Sequence, residues 1–190
     1  MLNKQDFKKL REEMAKFDEE RENLIKKARD LLKSSKQIIY SIHRGDLKET
    51  ALLLNKAKKE KNELDSIASR HPKLFYEGSY SEANQEYAEA MCYLGFINGK
   101  LPSKNELKVD VEDYLSGICD LTGELTRRAV SSATKNDFEQ VERIKSLVED
   151  IHGEFLKINL RNSLLRKKSD SINWNLKKLE DVMYDIKLRK

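Results

Sequence analysis

Little in this chain interrupts a helix. Its 190 residues hold 7 Gly and 2 Pro, and breakers this sparse exclude a loop-rich or many-turned β architecture. The 2 cysteines, Cys92 and Cys119, stand alone inside apolar helical patterns, with no Cys-x-x-Cys. That excludes a disulfide framework and a thiolate zinc site, and reads as core thiols in a reducing compartment. His43, His71 and His152 are scattered without ligand spacing. No window approaches the ~18 apolar residues of a membrane helix. The opening Met1–Lys9 stretch turns acidic at once and has no signal-peptide character, so a soluble, cytoplasmic protein with no membrane partner is expected. Neither sign of charge dominates: 37 Lys+Arg stand against 33 Asp+Glu, a net +4. This mild basic excess permits a polyanionic partner without demanding one. There is no convincing strand alternation, fixed-period repeat or Gly-rich phosphate loop.

What is present is helical periodicity from end to end. Leu10, Met14, Phe17, Arg21, Leu24, Ala28, Leu31, Ser35, Ile38 and Ile42 form one stripe from Leu2 to about Arg44, too long a seam for one domain to cover internally, which implies a subunit interface. Gly45 suits a C-cap and Asp46 an N-cap. A second helix runs to about Ser69 and ends at His71-Pro72. Ser79-Tyr80-Ser81-Glu82 reads as a capping box opening a third helix. There Glu86 and Glu89 stack at i,i+3 on the border of an apolar stripe, and Tyr93 continues their line. A loop from Asn98 to about Val109 precedes a fourth helix ending near Thr134. Asp137 caps a fifth, Arg161-Asn162-Ser163 loosens the chain, and a sixth runs from about Leu164 to Leu188. The expected fold is all-α: one domain over residues 1–190, of six to seven long antiparallel helices.

The chemistry concentrates in Asp110–Arg128. Val111, Tyr114, Leu115, Ile118, Leu121, Leu125 and Ala129 share one helical face, while Asp113, Gly117, Asp120, Glu124 and Arg127 fall on the other. Gly117 and Gly123 each cost the helix ~1 kcal/mol relative to Ala, a cost usually met where another backbone or a ligand approaches closely. Two readings stand: a solvated acidic face with packing glycines, or a functional carboxylate line.

The stretches Asp110–Gly117, Asp120-Leu-Thr-Gly-Glu-Leu125, Arg128–Ala133, Ile158–Lys168 and Lys177–Ile186 together resemble the translin superfamily, translin and translin-associated factor X. The likeness is strong over the C-terminal half. Upstream it rests on helical character and on Gln85–Ala90. The resemblance implies a closed homo-oligomeric shell, an octamer by the family's precedent, that binds single-stranded RNA and DNA. The factor X branch also implies a Mg²⁺-dependent (or Mn²⁺-dependent) endoribonuclease site, with Glu86 and Glu89 on one helix and Asp120 and Glu124 on another as ligands and catalytic residues. The first pair aligns with that branch; Asp110–Gly117 is closer to plain translin.

That chemistry is sound on its own terms. Mg²⁺ takes oxygen ligands and keeps waters, so a few carboxylates on facing helices suffice, and such an ion polarises a phosphate and acidifies water. Without a cation the gathered acids would repel. Arg127, Arg128, Arg161, Arg166, Lys167 and Lys168 are the expected phosphate contacts, with Tyr93 as a stacking partner. Two alternatives remain: a nucleic-acid-binding shell without catalysis, and a helical scaffold that binds no nucleic acid.

Overall fold

The computed structural model describes residues 2–161 and 164–188. Asn162 and Ser163, at the expected loosening before the last helix, lie outside the described residues, as do Met1, Arg189 and Lys190. Among the described residues seven helices follow in order: α1 (Lys4–Arg44), α2 (Leu47–Ala68), α3 (Gly78–Ile97), α4 (Lys104–Leu107), α5 (Val111–Thr134), α6 (Phe138–Leu156) and α7 (Leu164–Leu188), with a 3₁₀ turn at Pro72–Tyr76. No strand occurs among the described residues. The fold is all-α, as the breaker-poor sequence requires. Two compact units divide the chain after Tyr87, so α3 contributes to both.

In the first unit α1 and α2 pack together around Leu24, Leu31, Ile38, Ala57 and Leu64. Gly45 closes α1 in the left-handed region at φ 73°, and the Asp46 side chain caps α2 by accepting from the Glu49 N–H. The two-residue link sends the helices back along each other. Upstream of Leu24 no side chain of α1 is buried: Phe7, Leu10 and Met14 are exposed although they continue the seam that is buried further on. Inside this unit Lys61 is 3% exposed and donates to both carboxylate oxygens of Asp65, one turn away, at 2.6 and 2.5 Å. Tyr80 Oη donates to the same carboxylate at 2.9 Å.

One expected cap is corrected. Helix α3 begins at Gly78, so Ser79 and Glu82 lie inside it. The Glu77 carbonyl accepts from the N–H groups of Tyr80 and Ser81 and the Glu77 carboxylate is held by Arg21 at 2.9 Å. The capping box of this protein is instead Ser103–Glu106, at the one-turn helix α4.

In the second unit α5, α6 and α7 pack on one another. Asp110 and Asp137 cap α5 and α6 through the N–H groups of Glu112 and Gln140. The core is Leu121, Leu125, Val141, Ile144, Ile172 and Leu179. No helix among the described residues is long and apolar enough to cross a membrane.

Candidate functional site

Helix α5 is not amphipathic in the simple sense that its apolar stripe suggests. Val111 is exposed, whereas Asp113 and Gly117, expected on the solvated side, are buried. The reason is coverage: α6 and α7 both pack on α5, and a single-face pattern cannot register a helix enclosed from more than one direction. Asp120 and Glu124 follow on this enclosed line, and their side chains are 34% and 25% exposed. The acidic face is therefore not a freely solvated one.

Each of these carboxylates has a cation beside it. Asp120 Oδ2 accepts from Lys168 Nζ of α7 at 2.5 Å, and Glu124 Oε2 lies 3.7 Å from Arg127. Next to the pair, Thr122 Oγ1 accepts from Asn175 Nδ2 of α7 at 2.8 Å. Helix α7 thus reaches α5 through both Lys168 and Asn175, two turns apart on one face. Arg128 is half-buried and hydrogen-bonds the hydroxyl of Tyr93. Burial pushes the Tyr93 hydroxyl up, and the bond to Arg128 partly offsets that. Tyr93 is 0% exposed, so the expected stacking role is corrected: its ring has no accessible face for a base. Arg127, Arg161, Arg166 and Lys167 are exposed as phosphate contacts require, while Lys168 is half-buried against Asp120.

On α3, Glu89 is 7% exposed and belongs to the second unit with Asp120 and Glu124. Glu86, one turn earlier, belongs to the first unit, where Lys36 lies 3.4 Å from its carboxylate. Cys92 is pushed up to about 12, chiefly by burial with Glu89 adding to it, and its hydrogen bond with Tyr114 works the other way. Cys119 is pushed up to about 12 by burial and then by Asp120, with Lys168 opposing. Both thiols are neutral at physiological pH and are not nucleophiles.

The four expected acids test unevenly against a divalent cation. Their chemistry fits: all are carboxylates, the hard oxygen donors Mg²⁺ prefers. Their present arrangement is that of ion pairs, with Lys36, Lys168 and Arg127 against Glu86, Asp120 and Glu124. Among the described residues no group of three or more His, Cys, Asp or Glu stands in position to hold a metal ion. The Lys168 partner, 48 residues from Asp120 in sequence, had no local signal; its place in a basic run hid it.

An all-helical chain with an acid line on α5 answered by basic residues of α5 and α7 defines the class. The sequence matches the Translin family over residues 19–107 and 98–190; the chain belongs to the translin family. It is 41% identical to Translin of Gallus gallus across 43% of this chain, a match that spans 35% of that protein's length. An uncharacterized protein of Methanocaldococcus jannaschii is 35% identical over 75% of this chain and 64% of its own. Among solved structures, apo-NeC3PO superposes with a TM-score of 0.87 at 29% identity, covering 97% of both chains. The AfC3PO–duplex RNA complex gives 0.89 at 24% identity, covering 97% of this chain and 98% of that one, a likeness of fold.

Proposed function

We propose that this protein is an RNA-binding translin-family subunit that assembles with copies of itself and cuts single-stranded RNA internally in the presence of Mg²⁺ or Mn²⁺. The observation that carries the reading is the juxtaposition of acids of α5 suited to a cation, Asp120 and Glu124, with cations suited to phosphate, Arg127 and Arg128 of α5 and Lys168 of α7. The family membership and the RNA complex of AfC3PO support the nucleic-acid partner; single-stranded DNA is a second ligand of the same chemistry. Glu89, Asp120 and Glu124, all of the second unit, would hold the metal. When bound, the ion polarises the scissile phosphate and lowers the pKa of water. The chain's own residues do the rest. Arg127 and Arg161, both exposed, hold the strand by its phosphates, and Arg128, fixed by Tyr93, carries positive charge toward the acid line. Glu89 or Glu124 takes the proton from the attacking water.

The stripe of Phe7, Leu10 and Met14, exposed on α1, supports assembly through a second copy, with the octamer as the closed form. The free thiols Cys92 and Cys119 suit a cytoplasmic setting. One observation favours the rival binding shell without catalysis: Lys168 already neutralises Asp120. Cleavage of labelled single-stranded RNA with Mg²⁺ and with EDTA decides between them. The enzyme reading requires metal-dependent cutting that Glu89→Gln and Asp120→Asn abolish while binding in a gel shift survives. Unchanged cutting in both variants would sink the site. Light scattering that returns the mass of one 22.2 kDa chain would sink the assembly.

A further inference from the structure

Lys168 and Asn175 turn toward α5, but another face of α7 borders a pocket. A cavity of about 620 Å³ lies between the end of α6 and the first half of α7, within the roughly 300–1,000 Å³ range of ligand sites. Phe155 of α6, 8% exposed, supplies apolar wall. Arg166, Ser169, Asp170 and Asn173 supply polar groups, and Trp174 is part of the same lining. Trp174 is the only tryptophan of the chain, and it is 69% exposed. Lys177 Nζ sits 5.3 Å from its ring centroid, and Arg166 lies 3.9 Å from Asp170.

A solvated indole bordering a cavity of mixed polar and apolar lining offers a ring face for stacking, and charge decides what it contacts. Residues 156–178 contain seven Lys or Arg (Lys157, Arg161, three in the run Arg166–Lys168, Lys177 and Lys178) and one acid, Asp170, a net of +6. The whole chain is net +4, so the remainder is negative overall. A second copy brought to this face by a two-fold axis would set +6 against +6. A ligand that is anionic along its length and carries flat, polar-edged rings suits it instead.

We propose that this pocket takes one unpaired base of a single-stranded nucleic acid. The ring stacks on Trp174, its hydrogen-bonding edge meets Ser169, Asp170 and Asn173, and the adjoining phosphates meet Arg166 and Lys177. This rests on the nucleic-acid reading above and adds to it a site that reads single strands. A duplex has its bases stacked and paired already, so it presents no ring to Trp174.

Because Trp174 is the sole tryptophan, its fluorescence reports this pocket alone. The probes are a short oligouridylate and the same strand annealed to oligoadenylate, added to the full-length protein. Expected are quenching by the single strand that saturates with the gel shift, and no quenching by the duplex. Trp174→Ala should weaken single-strand binding about tenfold, a stacking-sized effect, while Trp174→Phe keeps most of it. Should the alanine variant fail to fold, the wild-type titration and Asn173→Ala decide in its place. Full binding in the gel shift with unchanged fluorescence overturns the pocket and leaves the nucleic-acid reading standing. A fluorescence change that follows protein concentration instead of RNA overturns it in favour of a subunit contact. Failure of both probes to bind overturns the pocket and the proposed function together.

Discussion

Lys168 Nζ donates to Asp120 Oδ2 across 2.5 Å and so ties α7 to α5. Both side chains are about one-third exposed, so water screens the pair, and its net worth is at most ~1 kcal/mol. Lys168→Met should therefore lower the melting temperature by only a few degrees. Its larger effect should be on cation binding. The ammonium and a divalent ion compete for one carboxylate, so the variant should bind Mn²⁺ more tightly, measured by electron paramagnetic resonance. Equal affinity in wild type and variant would mean that Asp120 is not a metal ligand.

The Lys61–Asp65 pair in the first unit, with its ammonium enclosed, behaves differently. Lys61 is almost wholly enclosed against Asp65, and Tyr80 donates to the same carboxylate. Breaking such a pair leaves a charge in low dielectric, at a cost of ~3 kcal/mol. Asp65→Asn should lose about that much in urea unfolding. Tyr80→Phe should lose ~1.5 kcal/mol, the value of one hydrogen bond to a charged group at the low end. A smaller loss for Asp65→Asn than for Tyr80→Phe would contradict the assignment of charge to Lys61.

The helices were legible because their signals are local. Gly45, Asp46 and Asp137 cap the elements they were expected to cap, since a cap needs only its own turn. Helix α4 escaped because one turn has no periodicity to detect, and Ser79 misled because Glu77 takes the capping place with its backbone carbonyl. Of the candidate site, the acid line of α5 was legible as spacing. Its enclosure was not, because burial of Asp113 and Gly117 depends on neighbours far away in sequence. The same holds for Tyr93, whose line on α3 suggested a stacking surface but whose ring the fold encloses. Trp174 drew no attention as a single residue in a basic helix; only the cavity beside it gives it meaning.

Two glycines should respond oppositely to the same change. A Cβ at Gly95 would stand 2.6 Å from the Lys100 carbonyl and 2.7 Å from Pro102 Cδ, inside contact distance of backbone that cannot swing away. At Gly123 it would meet only Asn175 Nδ2, at 3.8 Å, an ordinary contact. Close packing therefore accounts for Gly95 and not for Gly123. Gly95→Ala should destabilise by ~1–3 kcal/mol, the usual range for overpacking. Gly123→Ala should stabilise by up to ~1 kcal/mol through helix propensity. If Gly123→Ala gains that stability yet loses RNA binding, the glycine is there for the ligand. A loss of stability in Gly123→Ala would refute the account.

Alkaline pH should weaken the fold through its thiols. Cys92 and Cys119 are each held up at about 12, mainly by burial, and Tyr114 likewise at about 12. In the unfolded chain a thiol loses its proton near pH 8.5 and a tyrosine near pH 10. Above about pH 9 the unfolded state therefore binds fewer protons than the folded one, and stability falls as pH rises. The contribution is fully present below the unfolded values and is lost progressively toward the folded ones, near pH 12. Urea midpoints should be level with respect to these groups up to about pH 8 and decline beyond it. Replacing both cysteines with alanine should flatten the first part of that decline and leave the tyrosine part. The native protein should also resist Ellman's reagent at about pH 8, because neutral buried thiols are poor nucleophiles. Rapid modification of Cys92 or Cys119 in the folded protein, or a midpoint that rises between about pH 9 and about pH 11, would contradict the burial of both thiols.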